Sequence, residues 1–262
     1  MNLTRTIQAF NTATASENKI HDDATASRFG FSGGLVPGVD VFAYMAHGPV
    51  KLWGQSWLEH GAMRARFIKP VYDGADATLS AVGLSDEALA LRLESGGVVC
   101  GEGEAVRQAS ETPVDIPPPL AQPKAEDRPK ASSSSLIPGQ LLGYASEPYT
   151  REAGAEHLSH VREEMELYED GEIASPGYML RRANYILAAN VKLGPWIHSE
   201  SDVRLHGLIR HGDQLETRAR VFENFERKGH LIVSLDFAIL GGGRLAMSGR
   251  HWAIYEPRQV RS

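Results

Sequence analysis

The sequence predicts an α+β protein made of two similar halves, in each of which an antiparallel sheet wraps around one long helix. Three observations support this fold class: a proline-rich segment near the middle of the chain, an order of motifs that occurs twice, and a long apolar helix in each half. The 262 residues are enough for two domains of ordinary size.

A segment rich in proline and serine separates the halves. Residues 109–139 contain seven prolines and a run of four serines. Proline has no backbone N–H and favours extended conformations, so we predict an unpacked connection rather than a helix or strand. The predicted organisation is a first domain over residues 1–110, a linker over 111–140 and a second domain over 141–262.

The two halves share an order of motifs. Each has a Pro-Gly pair, then an apolar helix, then the tripeptide Val-Lys-Leu, and then an alternating strand that ends at a glycine turn. Glycine and apolar residues align easily by chance, but four features in one order favour a structural repeat. The matching positions are Pro37-Gly38 and Pro176-Gly177, 50–52 and 191–193, and Gly74 and Gly212.

The helix of the first half is predicted over residues 38–52. It is apolar on nearly all sides, which is typical of a buried helix. The later segments of both halves alternate apolar and polar residues, as strands with one covered face do. Glycine-rich turns at 95–97 and 241–243 separate neighbouring strands, so we predict hairpins and a largely antiparallel sheet.

Composition excludes several classes of function. The formal net charge is −6, with 27 Lys and Arg against 33 Asp and Glu, which gives no support for nucleic-acid binding. The single cysteine, Cys100, excludes an internal disulfide framework and a cysteine-rich metal site. No apolar stretch of about 18 residues or signal peptide is present, so we expect a cytoplasmic protein without a membrane partner.

Residues 16–23, "SENKIHDD", lie shortly before the Pro37-Gly38 helix entry. A histidine can exchange a proton with water near neutral pH. A backbone N–H at a helix start can stabilise a developing negative charge, and Gly38 lets a ligand approach it closely. We therefore predict a site formed by Asn18, His21 and Gly38, against the alternatives that His21 fixes a loop and Asn18 caps a turn.

This segment resembles the active-site segment of the MaoC-like, R-specific enoyl-CoA hydratases. The pattern of that family is an Asp, an Asn two residues later, a His five residues after the Asp, and a glycine-rich entry into the central helix. Asn18, His21 and Gly38 match it, whereas Ser16 stands at the position of the Asp. The resemblance implies a double hot-dog fold, in which two sheets, each around its own helix, form a pseudo-dimer.

The resemblance also implies an activity, the reversible hydration of a 2-enoyl-CoA to a 3-hydroxyacyl-CoA. In this interpretation His21 is the acid/base, Ser16 and Asn18 position water or substrate, and Gly38 supplies the oxyanion donor. The coenzyme A thioester is the substrate, and no cofactor or metal is expected. The implied partners are a small-molecule acyl thioester and a second copy of the chain, as a homodimer of pseudo-dimers.

Ser16 leaves three hypotheses open, because a serine is not a base at pH 7. Glu17 or Asp40 replaces the carboxylate, or His21 works alone with Ser16 placing the water, or the protein binds acyl-CoA without turnover. A carboxylate at Asp40 or Glu17 also suits a hot-dog acyl-CoA thioesterase.

The second half has lost the motif. His157 and His160 lie in a Glu-rich stretch, and the second helix entry is expected to pack against the substrate tail. Five cations are candidate contacts for the phosphates of coenzyme A, although each is more often a solvated charge: Arg64, Arg66, Lys69, Arg204 and Arg210.

Overall fold

A computed structural model describes residues 1–14 and 16–258. The first half contains β1 (Asn2–Gln8), a 3-10 turn (Lys19–His21), α1 (Asp23–Arg28), α2 (Gly38–Trp53), α3 (Gln55–His60), β2 (Ala62–Phe67), β3 (Asp76–Gly83), β4 (Ala88–Ser95) and β5 (Val98–Val106). The second half contains β6 (Leu141–Leu142), β7 (Glu147–Pro148), α4 (Arg151–His160), α5 (Pro176–Asn190), β8 (Ile197–Leu205), β9 (Gln214–Arg227), β10 (His230–Gly241) and β11 (Arg244–Glu256). Further 3-10 turns lie at Ala125–Asp127 and Glu166–Gly171.

The strands form one antiparallel sheet, in the order β1-β3-β4-β5-β2-β8-β11-β10-β9-β6, with β7 paired to β9. The strands of the two halves, predicted as two sheets, are the two parts of this one sheet, and they join edge to edge where β2 pairs with β8, from Ala62 opposite Arg204 to Arg66 opposite Glu200. Because each half closes one edge of the other, neither leaves that edge unpaired.

Helices α2 and α5 lie against this sheet and against each other. Helix α2 is buried along almost its whole length because strands cover one side and α5 covers the other. Gly48 lets it approach the sheet closely, since a Cβ at this position would lie 3.0 Å from the Cβ of Ala81. The long buried helix predicted over 38–52 is therefore confirmed, one residue longer at its end.

The predicted hairpins are present. Gly96 and Gly97 connect β4 to β5 with φ of 58° and 76°, and Gly242 and Gly243 connect β10 to β11 with φ of 55° and 79°. Two consecutive residues of positive φ give a type I′ turn, which matches the twist of the paired strands and favours glycine.

The segment predicted to be an unpacked connection packs against the second half over part of its length. Leu136 is fully buried in the core, and the backbone N–H of Ala131 donates to the carbonyl of Lys192 at 3.0 Å. The expectation of an unpacked connection is therefore wrong for this part, because an apolar side chain finds a place in the core. The division of the chain at residues 110 and 140 stays a prediction.

One ion pair joins the two central helices. Asp40, in the first turn of α2, is fully buried, and its Oδ1 accepts hydrogen bonds from Nε (3.2 Å) and Nη2 (2.5 Å) of Arg181 in α5. Its other oxygen, Oδ2, accepts from the hydroxyl of Thr12 at 2.6 Å. A buried carboxylate needs such compensation, so Asp40 fixes where α5 lies over the start of α2.

We expect Arg181→Met to lower the free energy of unfolding by about 3 kcal/mol, because it leaves the Asp40 carboxylate buried and unpaired. The matched control is Arg64→Met, which removes a pair with Glu200 that also joins the halves but has an Arg side chain 59% exposed. That loss should be about 1 kcal/mol or less. Urea unfolding measures both, and equal losses would contradict a central role for the buried pair.

Candidate active site

Short caps shape the segment that carries His21. Asn18 Oδ1 caps the 3-10 turn by accepting from the N–H of Ile20 (3.4 Å), and Asp22 Oδ1 caps α1 by accepting from the N–H of Thr25 (3.0 Å). Asp23 Oδ1 accepts from the N–H of Gly34 (2.6 Å) and so ties the segment to the loop before α2. Of the two aspartates after the histidine, Asp22 is thus a helix cap and Asp23 a link between two loops.

The His21 ring is held in one tautomer. Its Nδ1 lies 2.6 Å from the carbonyl oxygen of Leu35, and because a carbonyl only accepts, Nδ1 carries the hydrogen. Burial lowers the pKa of His21, while the bond to Leu35 and the charge of Asp40 act in the opposite direction. At neutral pH the ring is therefore uncharged, with an electron pair on Nε2 that can take a proton.

Asn18 is already engaged by the protein. Its Nδ2 donates to the carbonyl of Trp196 (3.0 Å) and to Nε2 of His21 (3.3 Å), which accepts because the ring hydrogen is on Nδ1. Its Oδ1 also accepts from the N–H of Trp196 (3.2 Å). The bonds to Trp196 span 178 positions in the sequence and attach the His21 segment to the start of β8. In this structure Asn18 thus bonds His21 to the second half, and its role in positioning water or substrate stays a prediction.

The three candidates for the missing carboxylate function are not paired with His21. Ser16 Oγ accepts from the N–H of Asn18 (3.1 Å). Glu17 is exposed, and both oxygens of Asp40 are engaged by Arg181 and Thr12. Within residues 1–14 and 16–258, no carboxylate oxygen lies within 4.0 Å of a ring nitrogen of His21.

The start of α2 faces the same site. No side chain caps the helix, and in the described part of the chain the N–H groups of Gly38 and Val39 have no acceptor. Unpaired N–H groups at this end attract negative charge. A Cβ on residue 38 would lie 2.7 Å from Nδ1 of His198, so this close approach requires glycine.

Two cavities of about 580 Å³ each meet at His21. Three basic side chains line the first, together with polar and apolar groups: Arg128, Arg181 and Lys192. The second has a largely aromatic and aliphatic lining that includes Phe29, Phe31, Phe67, Tyr72 and Ile197. The residues that line both form what we call the junction: Asn18, His21, Pro37, Asn184 and Trp196.

Sequence reasoning missed the contribution of the second half. Asn184 lies on α5 one turn after Arg181, and their spacing of three residues puts both on one helix face, which is the only local signal for it. The second helix entry, expected to pack against the substrate tail, instead abuts α2, since a Cβ on Gly177 would lie 2.5 Å from the Cβ of Ala43. That expectation is wrong, and the middle of α5 lines the cavity in its place.

Most of the five basic side chains predicted to contact the phosphates of coenzyme A lie outside the two cavities at His21. Arg64 and Arg66 pair with Glu200 on the outer sheet surface, and Arg204 donates to the carbonyl of Thr112. Of the five, Lys69 lines one of the two cavities at His21.

A row of buried polar side chains lies beside the helix entry. His198 Nε2 is 2.8 Å from Ser201 Oγ, which is 3.1 Å from Nδ1 of His251. Burial lowers the pKa of His251 to about 3, and it lowers the pKa of His198 well below the usual value. Both rings are therefore neutral in the folded protein at pH 7.

Among the described residues, no group of three His, Cys, Asp or Glu side chains is arranged to hold a metal ion. No helix in the described ranges is long and apolar enough to cross a membrane.

We expect ¹⁵N NMR of the folded protein at pH 7 to show His21 as the Nδ1–H tautomer, with a pKa below that of a free histidine. The reason is that Leu35 binds the Nδ1 hydrogen and burial disfavours the charged ring. An Nε2–H tautomer, or a raised pKa, would contradict this geometry.

The free energy of unfolding should fall as the pH falls below about 6.5. In this range His251 binds a proton in the unfolded chain but stays neutral in the folded protein, because burial lowers its pKa to about 3. The stabilising contribution is complete above about pH 6.5 and is lost towards the folded pKa of about 3. His251→Gln should reduce the slope of the free energy of unfolding against pH by about 1.4 kcal/mol per pH unit, because one proton fewer is then taken up on unfolding. Urea unfolding between these limits gives both slopes, and identical slopes would show that His251 is not held neutral.

No protein-family model matches the sequence, and no curated protein is similar enough in sequence to count as a relative. Solved structures match over almost the whole chain. One, provisionally assigned as a MaoC domain dehydratase of Chloroflexus aurantiacus, has a TM-score of 0.66 at 9% identity and covers 98% of this chain and 95% of its own. A double hot-dog protein of Mycobacterium tuberculosis has a TM-score of 0.61 at 12% identity and covers 95% of both chains.

Thioesterases share the same fold. A structure provisionally assigned as an oleoyl thioesterase of Lactobacillus plantarum has a TM-score of 0.51 at 10% identity, and it covers 98% of this chain and 97% of its own. Identities this low describe the fold and leave the reaction open. The comparisons confirm that the chain has a double hot-dog fold, and the solved structures that share it include ones described as MaoC-like dehydratases.

Proposed function

We propose that the protein is a hydratase/dehydratase of acyl thioesters, which adds water reversibly to a 2-enoyl-CoA to give a 3-hydroxyacyl-CoA. One observation carries the proposal. The neutral Nε2 of His21 lies at the junction of two cavities, together with the uncapped start of α2. This reaction needs a base, a hydrogen-bond donor that stabilises the negative charge on the thioester oxygen, and space for the two ends of the substrate on either side of the reacting atoms.

His21 can take up and return the one proton that moves in this reaction. A water molecule replaces Asn18 Nδ2 as the partner of His21 Nε2 and gives one proton to that nitrogen. The water oxygen bonds to the β-carbon, and the double-bond electrons move towards the thioester oxygen. The N–H of Gly38 and the positive end of α2 stabilise that oxygen. The His21 imidazolium then returns its proton to the α-carbon, so one histidine serves both steps without a carboxylate partner. The same steps in reverse remove water.

The lining of the cavities suggests how the substrate lies. Arg128 and Lys192 of the first cavity suit the phosphates of coenzyme A or of a carrier-protein arm. The aromatic and aliphatic lining of the second cavity suits the acyl group. We propose no cofactor and no nucleic-acid or membrane partner. A cytoplasmic protein that associates as a dimer of pseudo-dimers is part of the same proposal.

A second candidate is acyl-CoA binding without turnover. The observation that favours it is the absence, in the described residues, of a carboxylate paired with His21. A thioesterase that uses Asp40 is less favoured, because both Asp40 oxygens already accept hydrogen bonds from Arg181 and Thr12.

We expect His21→Gln to lower kcat for enoyl-CoA hydration by about 100-fold or more, because it removes the acid/base. The control is His60→Gln at the exposed end of α3, outside both cavities, which should keep wild-type activity. Loss of the conjugated thioester absorbance measures hydration, and a thiol reagent measures hydrolysis. Thiol release would indicate a thioesterase, and thermal stabilisation by acyl-CoA without either reaction would indicate a binding protein.

A further inference from the structure

Two exposed cations line the second cavity, the one with the aromatic and aliphatic walls. Lys69 lies in the loop after β2 and Arg258 lies after β11, and neither lines the first cavity. Within residues 1–14 and 16–258, no carboxylate oxygen lies within 4.0 Å of either cationic group, and no Asp or Glu lines this cavity. A cavity whose charged groups all have one sign attracts a ligand group of the opposite sign.

The sheet brings these two cations to one edge. Strands β2, β8, β11 and β10 are neighbours, and Ile197 at the start of β8 lies opposite Ile254 near the end of β11. Because neighbouring strands lie about 4.8 Å apart, the ends of β2 and β11, which are two strands apart, are separated by about 10 Å. Lys69 and Arg258 follow these two ends closely, so one small anion can lie within reach of both side chains.

A neutral hydrogen-bond donor lies at the same edge. His230 begins β10, next to the end of β11, and lines the same cavity. Its Nδ1 accepts the backbone N–H of Arg258 at 3.1 Å, so the hydrogen of the neutral ring is on Nε2. Burial and the charge of Arg258 both lower the pKa of His230, so the ring is neutral at pH 7 and its Nε2 is a donor.

These groups indicate what the end of the acyl group is. A carboxylate accepts hydrogen bonds from cations and from N–H groups, whereas the end of an alkyl chain accepts none. We propose that the acyl group of the substrate ends in a carboxylate, which binds at Lys69, His230 and Arg258, so that the substrate is the monothioester of a dicarboxylic acid. This inference rests on the proposed function: the thioester lies at the junction, and the carbon chain follows the apolar walls of the second cavity.

A phosphate of coenzyme A would also suit these side chains, but the first cavity has its own cations, Arg128 and Lys192. A substrate with anionic groups at both ends uses the cations of both cavities, and its reacting centre then lies at the junction between them. An uncharged acyl group would leave Lys69 and Arg258 without a role in binding. The carboxylate takes no part in the reaction, and it determines which acyl group is selected.

The first test compares the binding of two saturated acyl-CoAs of equal chain length, one with a terminal carboxylate and one with its methyl ester. The pair is measured at each of a series of chain lengths. At the length that reaches the cations, we expect the wild type to bind the carboxylate about 10-fold more tightly, because each exposed cation contributes a modest attraction. High salt should reduce the ratio of the two Kd values, because it screens exposed charges. The corresponding 2-enoyl-CoAs should differ by the same factor in kcat/KM and little in kcat.

The second test removes the cations. Lys69→Met and Arg258→Met should each reduce the ratio of the Kd values about threefold, and the double variant should abolish it. The Kd of the methyl ester should stay within about twofold, because an uncharged end gains little from either cation. Lys51→Met, at an exposed position of α2 outside both cavities, is the control and should keep the wild-type ratio.

The outcomes are distinguishable. Equal Kd values for the two ligands at every chain length overturn the inference, as does a ratio that the double variant leaves unchanged. If the double variant weakens the binding of free coenzyme A as much as that of the carboxylate ligand, the cations bind phosphates and the inference is also overturned. Because the saturated ligands cannot be hydrated, their Kd values are independent of turnover. A wild type that keeps the Kd ratio but hydrates neither enoyl-CoA would show that the proposed reaction is wrong and that the preference for an acyl carboxylate is right.

Discussion

The buried ion pair between Asp40 and Arg181 is the constraint on which the site depends. Asp40 has no exposure to solvent, so its charge is stabilised by Arg181 of α5 and by Thr12. Because the pair sits in the first turn of α2, it places one face of α5 at the end of the helix where unpaired N–H groups lie. The second half of the chain thereby becomes a wall of the first half's site.

The same packing explains why the two halves are not equivalent. Both carry a Pro-Gly helix entry, but Gly38 lines a cavity while Gly177 lies against Ala43. In the second half, His157 is buried, and burial lowers its pKa well below the usual value. Because α2 covers the helix entry at Gly177, a thioester oxygen has no access to the start of α5. The entry at Gly38 is open to a cavity.

The predictable part of the fold has local causes. The Pro-Gly pairs and the apolar run over 38–52 mark the start and length of α2, and paired glycines of positive φ mark the hairpins. Each of these signals lies within a few residues of the structure that it specifies. The packing of Leu136 was not predictable in this way, because proline and serine around it dominate the local composition.

The candidate site was only half predictable for the same reason. His21, Asn18 and Gly38 are close in sequence, so their spacing indicates a site. Trp196 and Asn184 meet them across more than half the chain, through hydrogen bonds and helix packing that leave no pattern in the sequence. The pairing of Asp40 with Arg181 also leaves no pattern in the sequence. Because of this pairing, Asp40 is a structural group in the fold and no longer a candidate base.

In the proposed reaction an acyl thioester binds at the junction, where the start of α2 stabilises its developing charge. A crystal structure with a bound 3-hydroxyacyl-CoA tests this most directly. The thioester oxygen should lie about 2.7–3.1 Å from the backbone nitrogen of Gly38, the 3-hydroxyl should contact His21 Nε2, and the coenzyme A phosphates should lie beside Arg128 and Lys192. A thioester bound outside the junction, or one whose oxygen faces away from α2, would contradict it.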